Sequence, residues 1–294
     1  MKKNVVCFGE VLWDVLPTGK IAGGAPMNVA IRLQSMGIHA SVISRIGNDA
    51  AGAELIQIIQ QKKVAVNLIQ QDNNIATGEV HVKLDEKGIA TYDIVYPSAW
   101  DSINLTTDNF EAVKNATAFV YGSLACRDEV SLNTLLQLLS VASYKILDVN
   151  LRPPFYSIPF IEMLMKQSDF IKLNDDELRI VAESLGSATT DIEENILFIA
   201  NRTDTKTICV TRGKDGAILY AENKFWSHPG FTVKVDDTIG SGDSFLAALI
   251  SKIIYNNNYS EAIEFACAIG AIVATHKGAN PDITEDEMWK LMGK

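Results

Sequence analysis

The run Asp237-Thr238-Ile239-Gly240-Ser241-Gly242-Asp243 places a glycine-rich turn directly ahead of the largely apolar stretch Ser244-Phe245-Leu246-Ala247-Ala248-Leu249. At such a helix start, free backbone N–H groups and the positive end of the helix dipole converge, which suits phosphate oxygens. A carboxylate there is well used if it takes a proton from a hydroxyl that attacks the phosphate, so Asp243 reads as a general base for phosphoryl transfer. The plain alternative is a Gly-Ser turn with Asp243 as an ordinary cap. A second cluster lies near the amino terminus, where Gly9-Glu10-Val11-Leu12-Trp13-Asp14 ends a strand and Gly23-Gly24-Ala25-Pro26-Met27-Asn28 opens a helix. Asp14 and Asn28 can hydrogen-bond hydroxyls, and the paired glycines let a ligand approach the backbone. Their plain alternative is a solvated carboxylate and a helix-supporting amide.

Other phosphate sites can be tested against the same sequence. There is no G-x-x-x-x-G-K-[ST] loop, and Phe245 stands where the third glycine of G-x-G-x-x-G belongs. The H-R-D and D-F-G elements of protein kinases are missing too.

Positioning these groups requires a scaffold, and the hydrophobic periodicity supplies one. Strands are expected at Val5–Gly9, Ala40–Ile46, Ala118–Tyr121, Lys145–Val149, Phe170–Leu173 and Thr207–Thr211. Helices are expected at Met27–Met36, at Ala50–Lys62 with Asp49 as N-cap, and at Val130–Val141, Asp176–Leu185 and Ile192–Asn201. Three more follow near Gly242–Tyr255, Ser260–His276 and Thr284–Met292. Strand–helix repetition of this kind implies an open, mostly parallel α/β sheet covered by helices on both faces. Thr77–Leu84 and Ile89–Val95 alternate with period two around Asp85-Glu86-Lys87-Gly88, a hairpin signal. With Val11–Leu16 this hairpin can build a small sheet. One domain over 1–294 is expected, with a β-lid from about 11–23 and 77–100.

The 294 residues carry a formal charge of −10, and 47% are hydrophobic, enough for a large core. That acidity, with no basic stripe, argues against a nucleic-acid partner. No segment approaches the ~20 apolar residues that span a bilayer, and the amino-terminal apolar run is too short for a signal peptide, so no membrane partner and a cytoplasmic address are expected. The four cysteines form no C-x-x-C pair, so neither a disulfide framework nor a zinc site is expected.

Together the two clusters resemble the PfkB, or ribokinase-like, family of carbohydrate kinases. The amino-terminal signature is matched by Gly23-Gly24, Asn28, Ala30, Leu33, Gly37, Ile46-Gly47, Asp49 and Gly52. The carboxyl-terminal one is matched by Asp237-Thr238 and Gly240-Ser241-Gly242-Asp243, with Ser241 where alanine is commoner. The resemblance implies MgATP as phosphoryl donor and a sugar as acceptor, with Asp243 as base. It implies an anion hole from the amides of Gly240, Ser241 and Gly242. Sugar contacts would come from Asp14, Gly24, Asn28 and Arg152, the last in Asp148-Val149-Asn150-Leu151-Arg152. Asn174-Asp175-Asp176-Glu177 is similar to the N-x-x-E element, which implies Asn174 near the nucleotide phosphates and Glu177 positioning Mg²⁺ through water. Thr211, Gly213 and Gly216 belong to a stretch that resembles the nucleotide-side turn. Asp237, Ile239, Val273, His276, Gly278 and Asp282 fall where relatives enclose a monovalent cation, here K⁺, with Asp282 replacing a commoner serine.

Within the family, Gly9-Glu10-Val11-Leu12-Trp13-Asp14 with Leu16-Pro17 and Gly23-Gly24-Ala25-Pro26 is most similar to bacterial fructokinases. Fructose, phosphorylated on its 6-hydroxyl, is the acceptor this implies. Ribokinase and 2-keto-3-deoxygluconate kinase are the alternatives, and a non-catalytic sugar-sensing protein on the same fold is the rival from another class. The resemblance also implies a homodimer through the lid. Trp13 and Trp100 read as packing groups, and Arg127 as one half of a surface ion pair.

Overall fold

The computed structural model describes residues 3–17, 19–84, 90–255 and 258–293. The turn expected at Asp85-Glu86-Lys87-Gly88, with Ile89, lies outside them. Strands are β1 Asn4–Phe8, β2 Leu12–Leu16, β3 Gly19–Gly23, β4 His39–Gly47, β5 Ile69–Asp72, β6 Gly78–Leu84 and β7 Ala90–Ile94. They continue with β8 Ala118–Gly122, β9 Lys145–Asp148, β10 Phe170–Asn174, β11 Thr207–Thr211, β12 Ala217–Ala221 and β13 Lys224–His228. The α-helices are α1 Ala25–Ser35, α2 Ala50–Gln61, α3 Thr107–Lys114, α4 Glu129–Leu139, α5 Ile158–Lys166, α6 Asp175–Ser184, α7 Ile192–Thr203, α8 Ser241–Ile253, α9 Tyr259–Val273 and α10 Glu285–Met292.

Nine strands form one sheet in the order β13-β12-β11-β10-β9-β8-β1-β4-β5. All its pairings are parallel except β11–β12 and β12–β13. Alternation along β1 assigns its two faces. Val5 and Cys7 enter the core under α1, α8 and α9, while Val6 and Phe8 enter the core under α4 to α7. Neighbouring strands repeat the split: Ile146 and Phe170 share the α8–α9 side, and Leu147, Ile171 and Leu173 the other. Near-continuous burial on both faces explains why these strands read as short apolar runs in the sequence.

The small sheet has the order β3-β2-β6-β7. β2–β3 and β6–β7 are antiparallel and β2–β6 is parallel, so the expected hairpin and first segment do join. Its roots are fixed to the large sheet. Asp49 caps α2 by accepting from Gly52 N (2.7 Å) and also accepts from Thr77 N (2.9 Å) just before β6. Arg127, expected at the surface, is buried instead. It donates to Asp101 (2.7 Å) and to the Val95 carbonyl (2.6 Å), and lies over the Trp100 ring. Burial is tolerable because the guanidinium is paired and hydrogen-bonded throughout. Trp13 and Trp100 are buried, as expected of packing groups. All four cysteines are buried and free. Among the described residues no helix is long and apolar enough to cross a membrane.

Candidate active site

The parallel register aligns strand ends that carry polar groups. Asp148 at the end of β9 lies beside Lys172 of β10, and Asn174 beside Thr211 of β11. By alternation, Asp148 and Lys172 occupy the face that α8 and α9 cover, two polar side chains where the preceding residues supply core. Lys172 Nζ donates to Asp148 Oδ1 and Oδ2 at 3.0 and 3.3 Å. Burial opposes the ammonium's charge, yet Asp148 and Glu177 overcome it and raise its pKa, so Lys172 is a fixed cation.

Above it stands the turn into α8. Gly240 is the N-cap residue with φ of 73°, and a Cβ there would come within 2.5 Å of the Ala279 backbone. The Ser241 amide donates to the Thr238 carbonyl at 3.2 Å, so that member of the expected anion hole already has a partner. Its hydroxyl donates to the Gly270 carbonyl (2.9 Å), which ties α8 to α9. Gly242 lies in the first helical turn, where amides have no intrahelical acceptor, and a Cβ on it would stand 3.5 Å from Lys172 Nζ.

Asp243 is partly buried beside this turn. Desolvation first, then the charge of Asp148, push its pKa up to about 6, against the lowering influence of Asn28, Lys172 and Arg152. Asn28 Nδ2 donates to Asp243 Oδ2 at 2.8 Å. Arg152 acts electrostatically on Asp243, Asp14 and Glu10, so one guanidinium serves three carboxylates. Asp14 is pushed up to about 6 by burial, and Glu10 up to about 7 by the same cause. Room for Asp14 exists because a Cβ on Gly23 would overlap its carboxylate, and Gly24, at φ of 116°, lies against the Glu10 backbone. Glu10 Oε1 accepts from Ala25 N (3.2 Å) at the start of α1.

At the end of β10, Asn174 caps α6 by accepting from Glu177 N (2.8 Å), and Glu177 Oε2 accepts from Asn174 N (2.9 Å). Glu177 Oε1 accepts from Leu151 N at 2.9 Å, next to Arg152. Its pKa is raised by burial. The turn after β11 closes through Arg212 N and the Gly216 carbonyl (2.8 Å), with Gly213 and Gly216 at positive φ. Thr211 Oγ1 donates to the Leu173 carbonyl at 3.4 Å.

Residues expected around a monovalent cation are joined to one another by hydrogen bonds. Asp237 Oδ1 accepts from Ile239 N and Oδ2 from Gly278 N, both at 3.0 Å. Asp236 N and Asp237 N donate to the Ala274 carbonyl, and His276 N to the Val273 carbonyl. The His276 ring meets the Ile272 carbonyl and Glu287. Asp282 departs from expectation. Its carboxylate, 93% exposed, pairs with Lys62 at the C-cap of α2 at 2.7 Å, outside this hydrogen-bonded group. The Lys62 hydrogen bond and charge hold the Asp282 pKa down, with a smaller contribution from the charge of Arg32.

In the sequence Asp148 and Glu10 appear only as members of longer motifs, and Lys172 belongs to none. A lysine inside the apolar strand Phe170-Ile171-Lys172-Leu173 was the available signal, since a buried ammonium demands a partner.

A family model for pfkB family carbohydrate kinases matches residues 2–286. The chain belongs to that family. The kinase is 30% identical to fructokinase-1 of Zea mays over its whole length and 98% of the relative's. It is 31% identical to the fructokinase of Solanum tuberosum, covering 98% of this chain and 95% of that one. Among solved structures, fructokinase from Vibrio cholerae with fructose, ADP and calcium ion superposes with a TM-score of 0.85 at 24% identity, covering 99% of both chains. A putative ribokinase II from E. coli, at 18% identity, gives 0.86 over 99% of both.

Proposed function

We propose that this kinase is a fructokinase that transfers the γ-phosphoryl group of MgATP to the 6-hydroxyl of fructose, with Asp243 as the base. The observation that carries the reading is the Asp243 carboxylate at the start of α8, held by Asn28 and set between the Asp14–Arg152 cluster and the strand ends bearing Asp148, Lys172 and Asn174. The whole-length similarity to plant fructokinases supports the choice of sugar.

The sugar lies against Asp14, Gly24, Asn28 and Arg152, beneath the small sheet acting as a lid. The nucleotide lies along the ends of β10 and β11, near Asn174, Thr211, Gly213 and Gly216. Asn28 occupies Oδ2 of Asp243, so Oδ1 takes the proton from the attacking hydroxyl. The hydroxyl oxygen forms its bond to the γ-phosphorus as the bond to the ADP oxygen breaks, and ADP departs with that electron pair. The amides of Gly240 and Gly242 face the charge that collects on the transferring oxygens.

Among the described residues no cluster of three or more His, Cys, Asp or Glu side chains is built to hold a metal. Mg²⁺ does not require one, because it is bound through one or two carboxylates, retained water and substrate phosphates. Glu177 and Asp148 fit that role: Glu177 already spends both oxygens on amides and would act through water, and Asp148 lies beside it. When bound, the ion neutralises phosphate charge. A monovalent cation such as K⁺ would be held by loop carbonyls around Asp237, without the Asp282 carboxylate.

A coupled ADP-release assay across fructose, ribose and 2-keto-3-deoxygluconate tests the proposal. The highest kcat/KM is expected with fructose, the product carrying phosphate on the 6-hydroxyl. Better turnover of another sugar would overturn the substrate, and no ADP release with any sugar would favour a sensor.

A further inference from the structure

The amide of Asn28 is itself held from behind. Asn280 Nδ2 donates to Asn28 Oδ1 at 2.7 Å, and Asn28 Nδ2 donates to Asp243 Oδ2 at 2.8 Å. The two bonds run in one direction, from the 274–282 loop through α1 to α8, and join residues more than two hundred positions apart. Their polarity is enforced by chemistry. An ionised carboxylate only accepts, so Asn28 must turn its NH₂ toward Asp243 and its carbonyl toward Asn280. Asn280 must then present its own NH₂. Its carbonyl oxygen is buried and has no partner among the described residues. Among the described residues, Asn280 Nδ2 is the one donor to Asn28 Oδ1. The same loop is locked in place: Arg32 of α1 donates to the Pro281 carbonyl (2.9 Å) and to Ser244 Oγ (3.1 Å), the residue after Asp243.

We propose that Asn280 is a positioning residue for the base, fixing the Asn28 amide so that it donates to Asp243 and keeps Oδ1 of that carboxylate open to the substrate hydroxyl. This rests on reading Asp243 as the base. Without the Asn280 donor, the Asn28 amide can rotate or invert, and an inverted amide sets oxygen against oxygen at Asp243. The Asn28 bond favours the ionised carboxylate, alongside Lys172 of β10 and Arg152 after β9. Asp148 of β9 opposes it, and Glu10 after β1 and Asp14 of β2 are the further carboxylates coupled to Asp243. All five remain when Asn280 is replaced.

The test is the ionisation of Asp243 itself, followed by carboxyl ¹³C NMR in the free enzyme, with turnover recorded in parallel. Asn280→Leu is expected to raise the Asp243 pKa by about half a pH unit or more. It is also expected to move the acid limb of kcat/KM upward with it, and to lower kcat by about 10-fold. Asn280→Ala, which adds no bulk, should do the same and serves if the leucine variant does not fold. In an Asn28→Ala background, Asn280→Leu should add nothing. An Asp243 pKa unchanged in both Asn280 variants, or a full effect persisting without Asn28, would overturn the proposal. Because the NMR readout needs no turnover, a kinase in which Asp243→Asn stays active would refute the base while leaving the hydrogen-bond relay separately measurable.

Discussion

Lys172 Nζ lies 3.0 Å from Asp148 Oδ1 on the sheet face covered by α8, directly beneath Gly242. The pair occupies positions that alternation would otherwise give to core side chains. Lys172→Met removes the cation and leaves Asp148 buried beside Glu177 and Asp243. A loss of about 3–5 kcal/mol is expected in urea denaturation, with partial recovery in Lys172→Met/Asp148→Asn. A single variant as stable as wild type would mean that water reaches Asp148.

Asp243→Asn preserves the size of the side chain but cannot accept the proton. Turnover is expected to fall by at least about 10²-fold with a smaller change in sugar affinity. Retention of more than half the wild-type kcat would exclude Asp243 as the base.

The pH profile follows from the same group. The base must be ionised, and its pKa is pushed up to about 6, so kcat/KM is expected to rise through pH 6 and level off above it. A flat profile between pH 5 and 8 would contradict that assignment.

Stability has the opposite dependence. Burial raises the folded-state pKa of Asp243 above the unfolded value of 3.8, so its contribution to stability is present below that value and lost as pH rises through about 6. Asp243→Asn is therefore expected to raise Tm over wild type at pH 8 and to change it little at pH 4. An equal difference at both pH values would show that packing, not charge, sets the effect.

Asp282 points to Lys62, so Asp282→Ala should leave monovalent-cation dependence as it is. Rates in K⁺ and Na⁺ at matched ionic strength should keep the wild-type ratio, with K⁺ the better activator. A ratio that collapsed toward one in the variant would return the carboxylate to the cation site.

Much of this was legible because the strands are buried on both faces and read as apolar runs punctuated by polar ends. β12 and β13 do not stand out: they are antiparallel additions at the sheet edge, and Lys224–His228 is only partly buried and lacks a clear period. β5 and β3 were too short and polar to stand out, and α3 and α5 lie among turn residues that mask their starts. At the site, glycine spacing around Asp243 carried real information because few backbones need it. Lys172 and Asn280 did not declare themselves, since their partners Asp148 and Asn28 are distant in sequence and only the fold supplies them. Arg127, after Gly122-Ser123-Leu124-Ala125, reads as half of a surface pair, whereas its partner is the distant Asp101 and both side chains are buried.

The small sheet is pinned where it leaves the large one: Glu10 to Ala25, Asp49 to Thr77, and Arg127 to Val95 and Asp101. Mechanically it is a beam clamped at its root and tethered farther out by the exposed Lys20–Glu54 ion pair. Any closing stroke over a sugar has to come from bending and twisting along β2 and β3, with displacement growing from Leu12 and Gly23 at the clamp toward Leu16 and Gly19. Asp14, paired with Ile21 at the middle of that span, would travel less than Leu16 and Gly19, so on the proposed reading the stroke can cover the sugar with a smaller displacement of that carboxylate.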